Sequence, residues 1–261
     1  MRVAFALALV ALIAACPRPA RPPPQLAGMS AEQALSVLGR GAREHVQAIG
    51  QVRIEYLAGD GVFNGEADLA VARPGRLRLE LRSFFGQPLL ALAVDGQRFT
   101  YVDNGATAVV RGDTRATRLR QLIPLALPPE LAVPLLLGAV PDLGPGAVRY
   151  TRPEVAGAVA LEQVGADAIW IVEVDERSRA LVRVARFDQR RDRQFAVRLR
   201  DHAALGGIAF PRSGRIEVAG RAGAVVWRWS RVEVNGAQLD PALWSLLIPA
   251  GYDVEEAPLS Q

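Results

Sequence analysis

From about residue 46 onward the chain alternates apolar and polar side chains with a period of two, and no other feature restricts its fold as much. Over 46–57, Val52, Ile54 and Tyr56 are apolar while Gln51, Arg53 and Glu55 are polar. Successive side chains of a strand point to opposite faces, so this pattern gives one dry and one wet sheet face. Gly59-Asp60-Gly61 turns the chain, and Phe63, Ala67, Leu69 and Val71 resume the alternation against Asn64, Glu66 and Asp68. Pro74-Gly75 turns it again into Leu77, Leu79 and Leu81. Asp95-Gly96, Asn104-Gly105 and Asn235-Gly236 are further hairpin signals. The strand pattern continues over 148–234, where Trp170 and Val172, then Phe195, Val197 and Leu199, then Trp227 and Trp229 supply apolar faces. In Trp227-Arg228-Trp229 both rings fall on one face.

Helical signals are few. Ser30 and Gln33 form a capping box, and Ala31, Ala34, Leu35, Leu38 and Ala42 follow at helical spacing, which predicts a helix ending near His45. Residues 114–123 read as a short basic helix. The segment 124–138 contains Leu125, Leu127, Leu131, Leu135 and Leu136 and is too apolar for a surface loop. Its prolines forbid a long straight helix, leaving one or two helical turns that end at Gly138. A short helix over 241–247 and a polar tail complete the pattern. A large sheet with one dry face must bury it, and curling the sheet around these short helices does so. The predicted fold is mainly β with a few helices: an antiparallel half-barrel with a helical lid and an apolar cavity. No linker divides 29–261, so these residues are expected to form one domain.

The first fifteen residues read differently. Met1-Arg2 leads into the apolar run 3–13, then Ala14-Ala15 and the single cysteine of the chain, Cys16. A basic start, a short apolar core and small residues make a secretory signal peptide over 1–15. The run falls short of the roughly 20 apolar residues that a membrane-spanning helix needs. Leu12-Ile13-Ala14-Ala15-Cys16 resembles the lipobox of bacterial lipoproteins. That resemblance implies a diacylglycerol on the Cys16 thiol and acylation of the new amino terminus. Two or more acyl chains make membrane attachment persistent where one is marginal. Residues 16–28, with Pro17, Pro19 and Pro22-Pro23-Pro24, then form an extended tether between the lipid and the body.

Charge and motifs narrow the function. The formal net charge is +4, and all 31 basic residues are Arg. They fall at alternate strand positions, as in Arg76-Leu77-Arg78-Leu79-Glu80-Leu81-Arg82, which is a solvated sheet face rather than a groove tracking phosphates. No nucleic-acid partner is expected. The two histidines, His45 and His202, have no second ligand at metal spacing. No nucleophile elbow, phosphate loop or dinucleotide fingerprint occurs. Asp201-His202 is the one pair that could orient a base. The expectation is a non-enzyme with no metal and no cofactor beyond the covalent lipid.

Residues 65–78, with Arg73-Pro74-Gly75, followed by Phe85-Gly86-Gln87-Pro88-Leu89 and Asp95-Gly96, resemble the LolA/LolB superfamily of bacterial lipoprotein localisation factors. The resemblance extends from Ser30 onward as element order and is sharp over about 46–110. It implies an eleven-stranded antiparallel half-barrel capped by helices, with an apolar cavity that receives lipoprotein acyl chains. Val52, Ile54, Tyr56, Phe63, Leu69, Leu77, Leu79, Leu81, Trp170, Trp227 and Trp229 would line that cavity. Leu125, Leu127, Leu131, Leu135 and Leu136 would form the lid, and Arg73 would hold it. Phe84 and Phe85 match the loop with which LolB-type receptors touch membrane. Cys16 places the chain on the LolB-like side, although LolB proteins often lack the Arg-Pro pair found here. Pro17 after the anchor favours the periplasmic face of the outer membrane. Expected partners are the membrane, lipoprotein acyl chains and a soluble LolA-like carrier. The alternative function is an accessory or sensor lipoprotein that binds a protein partner with the same fold.

Overall fold

A computed structural model describes residues 26–41, 46–58, 61–83, 85–116, 119, 122, 127–205, 208–220 and 223–258. Two helices, α1 (Ala31–Gly41) and α2 (Pro129–Leu136), accompany fourteen strands among these residues. The first six are β1 (Gln47–Ala58), β2 (Gly61–Ala72), β3 (Arg76–Arg82), β4 (Pro88–Asp95), β5 (Arg98–Asp103) and β6 (Ala108–Asp113). After α2 come β7 (Ala147–Thr151), β8 (Ala158–Val164), β9 (Ile169–Asp175), β10 (Leu181–Phe187), β11 (Arg193–Leu205), β12 (Ile208–Val218), β13 (Ala224–Val234) and β14 (Asp253–Ala257).

All fourteen belong to one sheet, in the order β14-β6-β5-β4-β3-β2-β1-β13-β12-β11-β10-β9-β8-β7. Every neighbouring pair is antiparallel except β14, which runs parallel to β6. The sheet is therefore two meanders, β1–β6 and β7–β13, joined where β1 meets β13. At that junction Val52 pairs with Trp229 and Ile54 with Trp227, and a bulge lies between Gln51 and Val52. The two-residue alternation sorts the faces as expected: β3 reads exposed, buried, intermediate, buried along Arg76, Leu77, Arg78 and Leu79. The apolar faces of both meanders merge with α1 and α2 into one core cluster that includes Val52, Leu79, Val133, Trp170, Val197 and Trp227. This is the antiparallel half-barrel with helical cover, with fourteen strands where the resemblance implied eleven.

The capping box at α1 is present: Gln33 N–H donates to Ser30 Oγ at 3.2 Å, and Ser30 N–H donates to Gln33 Oε1 at 3.0 Å. Of the residues expected to form a basic helix, 114–116 form a turn and most of 117–123 lies outside the described residues. Two expectations are corrected. Asn235-Gly236 does not turn a hairpin; Asn235 leaves β13 with a φ of 52° and its Oδ1 accepts the backbone N–H groups of Val46 and Gln47, capping β1. The expected helix 241–247 is a 3-10 turn, Pro241–Trp244, and the polar tail beyond it forms β14. Trp244 packs on Ala70 and Ala72 of the convex face, and Arg78 donates to the carbonyls of Leu243 and Ser245. The strap is thereby pinned across the sheet's back until β14 reaches the β6 edge.

Candidate functional site

The concave face is where apolar side chains and the helices meet. Val52, Ile54, Leu69, Leu77, Leu79, Leu81, Trp170, Trp227 and Trp229 are all buried there, and Tyr56 packs half-buried against them. Trp227 lies flat on its cross-strand partner Gly214: a Cβ built at that glycine would sit 2.1 Å from Trp227 Cη2. Only glycine leaves room for the ring. Phe210 tilts against Trp229 with ring centroids 6.1 Å apart, and Trp170 meets Phe195 edge-on at 5.8 Å. Trp227 Nε1 and Trp229 Nε1 are buried without a hydrogen-bond partner among the described residues. The side chain of Phe63, on β2, lies outside the described residues, as do Phe84, Leu125, Cys16 and residues 17–25 of the expected tether. The end of that expected tether is corrected: Leu26–Gly28 is a 3-10 turn, with Leu26 buried in the core.

Over this face lies the segment expected as a lid. Leu127, Val133, Leu135, Leu136 and Leu137 are each at most 2 % exposed, and Leu131 is half-buried against the core. The segment is thus seated as a packed layer. Its own hydrogen bonding is weak: α2 has eight residues, contains Pro134, and starts at Pro128 with no side-chain cap. An eight-residue helix with an internal proline is not stable by itself. Contact with the sheet holds it in place.

Between α1 and the loop that follows α2 lies a groove of about 570 Å³, lined by none of the residues expected to line a cavity. Leu35 and Glu32 of α1 form one wall, Val140 and the loop 141–146 another, and Val148 and Gln163 the floor, with Arg73 at the edge. A ligand site of drug or lipid size typically occupies about 300–1,000 Å³. The loop is fixed from below: Gln163 Nε2 donates to Gly144 O at 2.6 Å, and Gly144 N–H donates to Asp142 Oδ1 at 3.0 Å. Gly146 permits this seat, because a Cβ there would lie 2.6 Å from Val164 O. The Glu32 carboxyl is held below its ordinary range by hydrogen bonding from its own backbone N–H and from Ser30. Sequence reasoning missed both the groove and Gln163. The available signal was a polar residue in the otherwise apolar series Val159, Leu161, Gln163 on β8.

Phe85 occupies the turn between β3 and β4 and is 86 % exposed. Gly86 N–H closes that turn onto Ser83 O, and Gln87 N–H donates to Ser83 Oγ. The loop is ordered by its own bonds while presenting an aromatic ring to solvent. Asp201 and His202 are drawn to other partners. Asp201 Oδ2 accepts from Ser213 Oγ at 2.5 Å, and His202 Nε2 lies 3.0 Å from Leu181 O. Burial pushes the His202 pKa down, against the carbonyl of Leu181 and the charges of Asp175 and Asp201. Among the described residues, no group of three His, Cys, Asp or Glu side chains could hold a metal ion, and no helix is long and apolar enough to cross a membrane.

No family model and no curated protein matches the chain in sequence. Solved structures do match in shape. A DUF1329 family protein from Desulfovibrio piger superposes with a TM-score of 0.60 at 12 % identity, covering 83 % of this chain and 98 % of that one. A LolA superfamily protein from Nitrosomonas europaea gives 0.56 at 11 % identity, covering 84 % and 98 %. A protein domain described as outer-membrane lipoprotein-sorting, from Vibrio parahaemolyticus, gives 0.56 at 7 % identity, covering 84 % and 95 %. At these identities the likeness is one of fold, and the fold is LolA/LolB-like.

Proposed function

We propose that this chain, built on the LolA/LolB-like fold, is a non-enzymatic lipoprotein moored by acylated Cys16 to the periplasmic face of the outer membrane. It binds acyl chains on its concave side and takes part in lipoprotein localisation or insertion there. The observation that carries the reading is the apolar concave face, covered by a short proline-interrupted helix and flanked by an open groove. Transfer needs no bond to be made or broken. Acyl chains move from a soluble LolA-like carrier to this protein and then to the bilayer, each step following small differences in apolar burial.

The exchange can be sized. Displacing α2 re-exposes Val133, Leu135 and Leu136, at about 1.5–3 kcal/mol each, or roughly 5–9 kcal/mol together. At about 0.8 kcal/mol per buried methylene, an incoming chain of roughly six to eleven methylenes offsets that cost. Ordinary lipoprotein acyl chains exceed it. The lid is then closed without ligand and open with it, Arg73 and the α1 groove marking the entrance, and Phe85 marking the point of contact with membrane.

Mass spectrometry of natively extracted protein tests the reading directly. The expected result is acylation of Cys16 and retained lipid; an unmodified Cys16 with no lipid would refute it. Phe85→Glu should leave stability within about 0.5 kcal/mol, as for exposed positions generally, and abolish delivery of lipoproteins into liposomes. A second reading draws on how completely α2 fills the concave side. In it, the lid stays shut and the protein is an accessory or sensor lipoprotein that binds a protein partner.

A further inference from the structure

The convex face of the second meander sets arginine against arginine. Arg198 on β11 faces Arg183 on β10 and Arg215 on β12, directly opposite in both ladders. On β13, Arg228 faces Arg53 of β1. Like charges directly opposite each other across a sheet are destabilising. The first meander answers its arginines: Arg53 and Arg82 both face Glu66, and each has a carboxylate at 3.2 Å. The second meander answers them poorly. Arg215 has Glu217 at 2.9 Å, but Arg228 has Asp201 only at 3.4 Å and Arg198 has Glu154 only at 3.7 Å. Glu154 is already engaged, 2.7 Å from the buried Arg183. Arg200 has no ion-pair partner among the described residues. Asp201 stands in the left-handed region with a φ of 54°, where the β11–β12 ladder skips a pair.

These side chains surround a basin of about 500 Å³, in which Arg198, Arg200, Arg215 and Arg228 against Asp201 and Glu217 leave two positive charges in excess. The arginines point outward because the residues beside them, Val197, Leu199, Ile216, Trp227 and Trp229, belong to the core. We infer that the basin is a binding site for a phosphomonoester group. Such a group carries about −1.5 to −2 charge near neutral pH and three acceptor oxygens. That matches the excess charge, and guanidinium forks are suited to phosphate oxygens. A dianion seated among the arginines turns their mutual repulsion into attraction, and a singly charged diester does so less well. The basin lies on the opposite side of the sheet from the concave face, so the inference is independent of the acyl-chain reading.

The test titrates methyl phosphate and dimethyl phosphate into the full-length protein in phosphatidylcholine nanodiscs, by calorimetry in phosphate-free buffer. Methyl phosphate should bind about tenfold more tightly than the diester, the ratio expected for one further charge-assisted hydrogen bond. Arg200→Gln combined with Arg215→Gln should weaken methyl phosphate by about tenfold or more, whereas Arg82→Gln, on the convex face outside the basin, should leave it within about twofold. Should the double variant fail to fold, either single substitution serves, and the comparison of the two esters on the native protein decides independently of all variants. Adding phosphatidic acid to the nanodiscs separates two sources of the group. Weakened binding of methyl phosphate assigns the basin to a lipid headgroup, and unchanged binding assigns it to soluble phosphomonoesters; either result supports the site. Equal binding of the two esters, binding of neither, or a preference that survives both arginine substitutions overturns it.

Discussion

If α2 is a gate, weakening its hold on the sheet must strengthen ligand binding. Leu136→Ala is the sharpest perturbation, since Leu136 is 1 % exposed and belongs to the core cluster through a helix with little stability of its own. Truncating a buried leucine costs about 2–5 kcal/mol. In the gate model that cost falls on the closed state alone, because the open helix has already given up the contact. Apparent affinity is the intrinsic affinity scaled by the fraction that is open. A loss of about 2 kcal/mol from the closed state therefore raises acyl affinity roughly 30-fold, until the open state dominates. The assay is titration of a myristoyl ligand into native protein and variant, with urea unfolding followed in parallel. A variant that loses about 2 kcal/mol of stability and shows unchanged or weaker binding would refute the gate. Leu136 would then be core in the ordinary sense, and the concave side would be a permanent filling.

Three further predictions concern the scaffold. Gly214→Ala forces a Cβ against the Trp227 ring and should cost about 1–3 kcal/mol, lowering Tm by roughly 2–10 °C, and adding Trp227→Leu should recover part of that loss; additive losses would refute the contact. On the convex side Arg183 Nη1 meets Glu173 Oε1 at 2.7 Å, both residues buried, and Glu173 Oε2 accepts the N–H groups of Glu154 and Val155. Glu173→Ala should cost about 3–5 kcal/mol by urea unfolding, whereas replacing the pair with Leu and Met should restore most of it; a loss under about 1 kcal/mol would sink the argument. Burial holds the His202 pKa below its ordinary value of about 6.5, so the unfolded chain takes up a proton more readily than the folded one. That stability is whole above about pH 6.5 and erodes as pH falls toward the depressed value. His202→Gln should flatten this acid-side decline in urea midpoints, and an unchanged slope would count against it.

Much of this architecture is legible in the residues. Strand alternation is a local signal, so the faces of β1, β2 and β3 follow from it, as does the capping box at Ser30. The apolar excess of 124–138 announces burial because prolines and leucines together have no other stable home. What escapes a local reading is pairing at a distance. β14 reads as a polar tail because this edge strand is exposed from Asp253 to Glu256 and buries only Ala257, so it shows no apolar alternation. Asn235 looks like a turn residue and is used instead as a cap for a strand 189 residues away. The buried Arg183–Glu173 pair is invisible for the same reason, since charges on a strand read as a wet face until a loop folds over them. Gln163 stood out only by breaking an apolar series, a hint too small to weigh without the groove.

The junction of the two meanders has a consequence for how such a chain comes into being. Each half zips up from neighbouring hairpins, a quick matter of local closure. Their union does not, since Val46 must wait for Asn235. Until then both β1 and β13 display raw amide edges beside uncovered tryptophans, the surface most prone to stray pairing between molecules. Assembly of this protein should thus hinge on one late suture.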